Sequence, residues 1–324
     1  MSETLLLISS LSEDQVFAKA VGAEAKLPVQ TVTSAAQGAE FINKHEPSVI
    51  FVDASNEQLY LQFEEAIQNS VGIFSDKINA NAIHFLSSEN LDKVRYLIQS
   101  PLFGHFVLRN YGDPASAGEH YGRLVRATRA ERAFGLKTLL RPDAKVQIVK
   151  LQSTGQKQDA VEAVKNYFVA AKFQPRMAVM IANAVDELLM NAMFDAPVDE
   201  IGKPLYSSAP RSAVFDLKDR QAIEMHVGYD GKYAAVTAVD LFGSLDKVKL
   251  LSHISKIYTD EEYKVRTTVA GAGLGLATVF RSGGSFFFVS ESNVRTEVTV
   301  FFRRADNYRE FREQFRFLST QYYF

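Results

Sequence analysis

The chain contains no cysteine, which excludes disulfide bonds, thiolate metal sites and cysteine nucleophiles. Its six histidines do not occur at the spacings of zinc ligands. The amino terminus has no basic region followed by a long apolar run, and no apolar run approaches the roughly 20 residues that span a bilayer. The formal net charge of −2 gives no overall attraction to nucleic acid or to an anionic membrane. We therefore expect a cytoplasmic protein that binds neither.

The 324 residues are enough for two ordinary domains, and the first domain is expected to span residues 1–112. Short apolar runs alternate there with amphipathic stretches, which predicts an α/β domain with a parallel sheet covered by helices on both faces. The strands are predicted at 5–8, 29–33, 48–52, 82–86 and 105–108, and the helices at 13–25, 35–44, 59–69 and 91–100.

Residues 113–142 connect this domain to the rest of the chain. The turn signal Gly112-Asp113-Pro114 precedes the segment, and Arg141-Pro142-Asp143 ends it. Apolar residues between 124 and 139 can form one stripe on a helix. We interpret the segment as a linker helix, through which the protein is expected to form a homodimer.

The pattern of the second half is different and predicts a second domain over residues 143–304. Its longest helix begins at Pro175, a residue favoured in the first helical turn, and reaches about residue 194. The segment 305–324 is predicted to carry a terminal helix over residues 308–324, rich in arginine and aromatics. This helix packs on its own domain, or docks on the first domain or on a partner. The other elements are predicted at 145–151 and 156–172 and as two hairpins, 222–227 with 233–239 and 285–290 with 297–302.

A polar stripe interrupts the apolar helix that begins at Pro175. Asn183, Glu187, Asn191 and Asp195 follow one another at intervals of four residues, so they share one helix face. A glutamate and an asparagine one turn apart can hold a magnesium ion and order an attacking hydroxyl or water. The alternative is the solvent-facing stripe of an amphipathic helix.

Two further motifs follow in the chain. Residues 236–244 contain a predicted strand that ends at Asp240 and a turn that follows it. An acid at a strand end can accept a hydrogen bond from an exocyclic amine such as that of adenine. The alternative is a simple turn, because Asp and Gly dominate turns. Residues 270–278 contain three alternating glycines before an apolar helical stretch, which favours close approach of the backbone to a phosphate. A purely structural turn is the alternative here too.

In their order along the chain, these elements resemble the GHKL ATPases, the family of histidine-kinase catalytic domains, anti-sigma-factor kinases and DNA gyrase. The segment Glu187 to Ala192 is similar to the family's N box, Asp240 to the acid that opens the first glycine box, and Gly271 to Leu276 to the second glycine box. The resemblance implies an α/β sandwich whose mixed sheet packs against helices on one face. It also implies ATP and Mg²⁺ as cofactors.

The resemblance implies a role for each matched position. Glu187 matches the general base of the anti-sigma-factor kinases, and Asn191 matches the ligand of the magnesium ion that bridges the phosphates. Asp240 matches the residue that reads the adenine amino group, and Thr296 a threonine near the adenine. The complete set of expected nucleotide-binding residues is Asn191, Asp195, Asp240, Gly243, Gly271, Gly273, Leu274, Gly275, Leu276 and Thr296.

The sequence departs from this family at two places. Phe242 and Ser244 occupy both glycine positions of the first glycine box, with Gly243 between them, so the adenine pocket must be lined differently. Asp195 stands where the family often has a cationic residue, and a carboxylate beside a triphosphate is repulsive unless a cation lies between them. Lys264 and Arg266 can supply that charge, or they are solvated loop residues.

The first domain resembles a response-regulator receiver. Asp53 ends the third strand at the phosphoacceptor position, and Ser87 resembles the switch hydroxyl after the fourth strand. However, Ser9-Ser10 replaces the acidic pair that binds magnesium, and Arg109 or Asn110 replaces the lysine after the fifth strand. We therefore interpret the domain as a pseudo-receiver that binds a partner or dimerises, with a structural Asp53.

These resemblances imply a Mg-ATP-binding bacterial signalling regulator, an ATPase or a serine/threonine protein kinase of the anti-sigma-factor type, with a regulatory protein as partner. The alternative is a scaffold without catalysis, with or without bound nucleotide, that acts through protein–protein interaction. No histidine-kinase dimerisation hairpin is visible, and Tyr121 rather than an acid follows His120. Autophosphorylation on histidine is therefore not expected, and His120 is expected on the surface.

Overall fold

The computed structural model describes residues 2–71, 78–130, 133–259, 279–280 and 283–323. The chain divides into two compact units, one formed by Met1–Ala133 with Phe315–Thr320 and the other by Phe134–Gln314 with Gln321–Phe324. Both units combine strands with helices, so the predicted α/β class is confirmed.

The first unit contains a parallel sheet in the order β2-β1-β3-β4-β5, one of the common orders of doubly wound sheets. Its apolar runs form strands because both faces of the sheet are covered: Leu5, Leu6 and Leu7 are all fully buried. The elements are β1 (Ser2–Ile8), α1 (Ser12–Ala25), β2 (Val29–Val32), α2 (Ala35–His45), β3 (Pro47–Asp53), α3 (Glu57–Val71), β4 (Ile83–Ser87), α4 (Arg95–Gln99), β5 (His105–Leu108) and α5 (Pro114–Thr128).

The interpretation of residues 113–142 as a linker helix is wrong, because helix α5 belongs to the first unit and packs along α1. Gly118 and Gly122 permit the close approach: a Cβ atom added at Gly118 would lie 2.6 Å from Ala20 Cβ and from Phe17 O. The expectation of an exposed His120 is also wrong, because its side chain lies in the same buried region beside the Phe317 ring.

The strands of the second unit form an antiparallel sheet in the order β9-β10-β8-β7-β6. The expected mixed sheet is wrong for these five strands, because all four of their pairings are antiparallel. Tight hairpins impose this direction on β7 with β8 and on β9 with β10. The elements are α6 (Leu136–Leu139), β6 (Lys145–Leu151), α7 (Lys157–Ala170), α8 (Pro175–Met190), β7 (Ile223–Tyr229), β8 (Tyr233–Asp240), α9 (Lys247–Thr259), β9 (Ser285–Glu291), β10 (Arg295–Arg303) and α10 (Tyr308–Arg312).

Helix α8 is the central helix of the second unit. Within the described residues, the segment Pro175–Asp195 is long and apolar enough to pass a test for a membrane span, but 61% of the tested window is buried inside the protein. Met177, Ile181 and Leu189 are fully buried, and the helix packs against α7 and the sheet. It is therefore a core helix that carries its polar stripe on the remaining face.

The predicted terminal helix over residues 308–324 is wrong beyond its first turns. Helix α10 ends at Arg312, and strand β11 follows over Arg316–Tyr323. Its first residues pair antiparallel with β5, where Ser319 lies opposite His105. Aromatic and β-branched residues such as Phe317 and Thr320 favour a strand here. The pairing of β11 with β5 outweighs the helical spacing of the arginines.

Candidate functional site

The polar stripe of α8 changes from exposed to half-buried along the helix. Asn183 is exposed, whereas Glu187, Asn191 and Asp195 are half-buried. The helix ends in a π-helical turn over Asn191–Asp195, in which the Ala196 amide donates to the Asn191 carbonyl at 2.9 Å. Such turns are often found at functional sites, because the extra residue changes the direction of the side chains. The stripe therefore faces solvent at its start and is half-buried at its end.

Glu187 carries a perturbed carboxyl group. Burial raises the pKa of Glu187 above its usual value, and the neighbouring Asp186 and Asp195 act in the same direction. The cations Arg211 and Lys157 oppose this rise. A carboxylate whose pKa moves towards neutrality is better matched to general base catalysis than an ordinary surface glutamate.

The charges around Glu187 form two ion pairs. Lys157, in the first turn of α7, pairs with Asp186. Arg211, in the loop between α8 and β7, places Nη2 at 2.9 Å from Asp195 Oδ1 and 3.1 Å from Oδ2. Sequence reasoning missed Arg211, because nothing in a loop arginine indicates which helix end it will contact.

Asp240, at the end of β8, is buried. Its Oδ1 accepts hydrogen bonds from the backbone amides of Phe242, at 2.9 Å, and Gly243, at 3.3 Å. Thr296 lies opposite Asp240 in the pairing of β10 with β8 and is a further hydrogen-bond partner of its carboxylate. These bonds favour the charged form, but burial is the larger effect and raises the pKa of Asp240 to about 6.

The turn after Asp240 requires glycine at position 243. The two positions where the family motif has glycine, 242 and 244, carry Phe242 and Ser244 instead. Gly243 has a φ of +59°, and a Cβ atom there would lie 1.9 Å from the Glu291 carbonyl oxygen. Phe242 is buried, and the Ser244 hydroxyl donates to the Ala196 carbonyl at 2.7 Å. This last bond fastens the Asp240 turn to the residue that follows the π-helical turn of α8.

The structure thus brings together the end of α8, Asp240 and Thr296. The second glycine motif, with Gly271, Gly273, Leu274, Gly275 and Leu276, lies outside the described residues, and so do Lys264 and Arg266. In the part of the chain that the structure describes, no group of three histidine or acidic side chains is arranged to hold a metal ion.

The first unit has its own cluster of charges where β1, β3 and β5 end. Arg109 donates to Asp14, with Nη2 at 2.7 Å from Oδ2, and the same Nη2 lies 3.0 Å from Asp53 Oδ1. Asp14 is fully buried and also accepts from the Tyr111 hydroxyl at 3.0 Å. Asp53 Oδ1 accepts from Ser55 as well, so an arginine supplies the positive charge between the two acids.

Comparison with known proteins gives no identification. No protein-family model matches the chain, and a search of curated proteins found no significant match. A function is therefore inferred from the geometry of the site together with the sequence motifs.

Proposed function

We propose that the second unit binds Mg-ATP at the end of α8, with the adenine at Asp240 and the phosphates towards Asn191. The observation that supports this most is the 2.7 Å bond from Ser244 to Ala196, because it holds a buried acid at a strand end beside the polar end of a helix. A buried carboxylate that is only partly committed to backbone amides is suited to accept a hydrogen bond from an exocyclic amine.

The residues around this site suit the chemistry of phosphoryl transfer. Asn191 offers an amide oxygen, an ordinary magnesium ligand, and Mg²⁺ when bound would neutralise phosphate charge. Glu187, one turn earlier, would take the proton from an attacking hydroxyl or water. These roles agree with an ATPase or a serine/threonine kinase of the anti-sigma-factor type, a signalling regulator that acts on a protein partner.

Calorimetric titration of the full-length protein with Mg-ATP tests this proposal. We expect binding in the wild type, a loss of at least about tenfold in Asp240→Asn, and a comparable loss in Asn191→Ala. Asp240→Asn retains the Oδ1 acceptor for the turn, so the fold is preserved. Asn183→Ala, the exposed amide of the same stripe, is the matched control and should bind like the wild type. Absence of binding in the folded wild type would overturn the proposal.

A scaffold without catalysis is the second candidate, and two observations favour it. Phe242 fills a buried position where the family has glycine, and Asp240 is only 5% exposed, which leaves little open surface for an adenine ring. Turnover of ATP that is lost in Glu187→Gln would exclude this alternative. Binding without turnover in both proteins would support it.

A further inference from the structure

Arg211 is held beside the polar end of α8 without being buried there. Its ion pair with Asp195 is about one-third exposed on both sides, with 34% for the arginine and 32% for the aspartate. The Nη1 atom lies 3.5 Å from the Met190 carbonyl oxygen, and the guanidinium stands 5.4 Å from the centre of the Phe194 ring. The ion pair is therefore oriented by its surroundings, but water and small ions can reach it.

The charge balance of the site requires such a cation. Asp186, Glu187 and Asp195 place three carboxylates within three turns of helix, and Lys157 is committed to Asp186 at the α7 side. A polyphosphate that approaches three carboxylates is repelled unless a cation lies between them. Among the described residues, Arg211 is the cation that already contacts Asp195, and an arginine can exchange a carboxylate for a phosphate with the same planar donors.

We propose that Arg211 binds the terminal phosphate of the nucleotide, and that Asp195 holds Arg211 in place while the site is empty. This inference rests on the proposed nucleotide site and adds the residue that distinguishes a triphosphate from a diphosphate. Binding exchanges one ion pair for another: Arg211 leaves the carboxylate and contacts the phosphate. Asp195 therefore competes with the ligand, and the two partners of one ion pair have opposite effects on ATP affinity.

Titration of the full-length protein with Mg-ATP and Mg-ADP tests this exchange. We expect Arg211→Ala to lower ATP affinity on the order of 10- to 100-fold and to leave ADP affinity within about threefold of the wild type. Asp195→Asn should raise ATP affinity roughly three- to tenfold, because it removes the competing charge and keeps the shape. Arg211→Lys should fall between wild type and Arg211→Ala, because it keeps the charge but not the planar donors.

The controls separate this inference from the proposed function. Arg176→Ala changes an arginine at the opposite end of α8, where it stacks on Tyr308, and should leave both affinities unchanged. Thermal melts of all variants show whether each one is folded. Equal losses of ATP affinity and ADP affinity in Arg211→Ala, or weaker ATP binding in Asp195→Asn, would overturn the role of Arg211 and leave the nucleotide site itself intact. A wild type that binds neither nucleotide would overturn the nucleotide site itself.

Discussion

Asp240 shows how one residue serves both the fold and the proposed site. Its Oδ1 holds the turn by accepting from two backbone amides, whereas burial opposes the charge and raises the pKa to about 6. The charged form is the better acceptor for an adenine amine. The site should therefore be sensitive to pH just below neutrality.

We predict that the affinity for Mg-ATP falls as the pH is lowered from 7.5 to 5.5. The carboxyl group of Asp240 takes up a proton through about pH 6 in the folded protein, and the neutral acid is a weaker hydrogen-bond acceptor than the carboxylate. Calorimetry across this range measures the effect, and Asp240→Asn reports the titration of the nucleotide itself. An identical pH profile in the wild type and the variant would contradict the role of Asp240.

Arg109 illustrates the cost of removing one partner from a buried ion network. Its side chain is 3% exposed and lies between Asp14, which is fully buried, and Asp53. We predict that Arg109→Ala destabilises the first unit by about 3–5 kcal/mol, because Asp14 becomes an unpaired buried charge. Urea unfolding measures this loss.

The exposed pair of Arg126 with Glu24 in the same unit is the matched control for that measurement. Arg126→Ala should cost no more than about 1 kcal/mol, because solvent screens the pair. Equal effects in the two variants would show that the Arg109 network contributes no more than a surface ion pair.

At the scale of elements, strands β4 and β5 carry a pair of stacked histidines. His84 and His105 lie opposite each other in the sheet, with ring centres 4.0 Å apart and planes within 8°. The His84 Nδ1 lies 2.8 Å from the Tyr121 hydroxyl of α5, which in turn lies 3.2 Å from the Ser319 hydroxyl of β11. Burial lowers the pKa of His84 well below its usual value, and His105 acts in the same direction.

This pair should make the first unit sensitive to acid. Below about pH 6.5 the unfolded chain protonates His84, whereas the folded unit does not, so the free energy of unfolding decreases as the pH falls. We predict that His84→Asn, whose Oδ1 can replace Nδ1 towards Tyr121, reduces this dependence. Urea unfolding at pH 7.5 and pH 5 measures the free energy of unfolding at each pH. If this free energy changes as much in the variant as in the wild type, His84 does not contribute.

At the scale of the whole molecule, the first unit is not continuous in sequence. Residues Phe315–Thr320 complete its sheet beside β5, almost 200 residues after α5 ends. We predict that a chain ending at residue 314 has a markedly less stable first unit, because β5 becomes an edge strand and Tyr121 loses its contact with Phe317. Ser319→Ala should cost only about 1 kcal/mol. A truncated chain whose first unit unfolds like that of the full chain would disprove this role of β11.

The sequence predicts helices and strands well where its hydrophobic periodicity matches the burial of the side chains in the folded protein. The strands at 105–108 and 145–151 are confirmed with their predicted bounds, and the helix of Pro175 begins where predicted. The terminal strand was missed because its pairing with β5 is not local. For the same reason the linker interpretation failed: the close contact of Gly118 with α1 cannot be read from one helix.

The candidate site was predicted only in part. Spacing alone places Glu187, Asn191 and Asp195 at successive turns of one helix, but it does not show the π-helical turn at the end. A strand that ends in an acid indicates the turn at Asp240. The partners of these residues come from loops. Arg211 reaches Asp195 and Ser244 reaches Ala196 through contacts between segments that no local pattern encodes.

A crystal structure of the full-length protein with Mg²⁺ and a non-hydrolysable ATP analogue tests the central claim most directly. We expect the adenine amino group within hydrogen-bond distance of Asp240, magnesium at Asn191, and the terminal phosphate at Arg211. Asp195 is then separated from Arg211. Nucleotide bound elsewhere, or no nucleotide at a saturating concentration, would overturn the proposed site and leave the second unit as a scaffold.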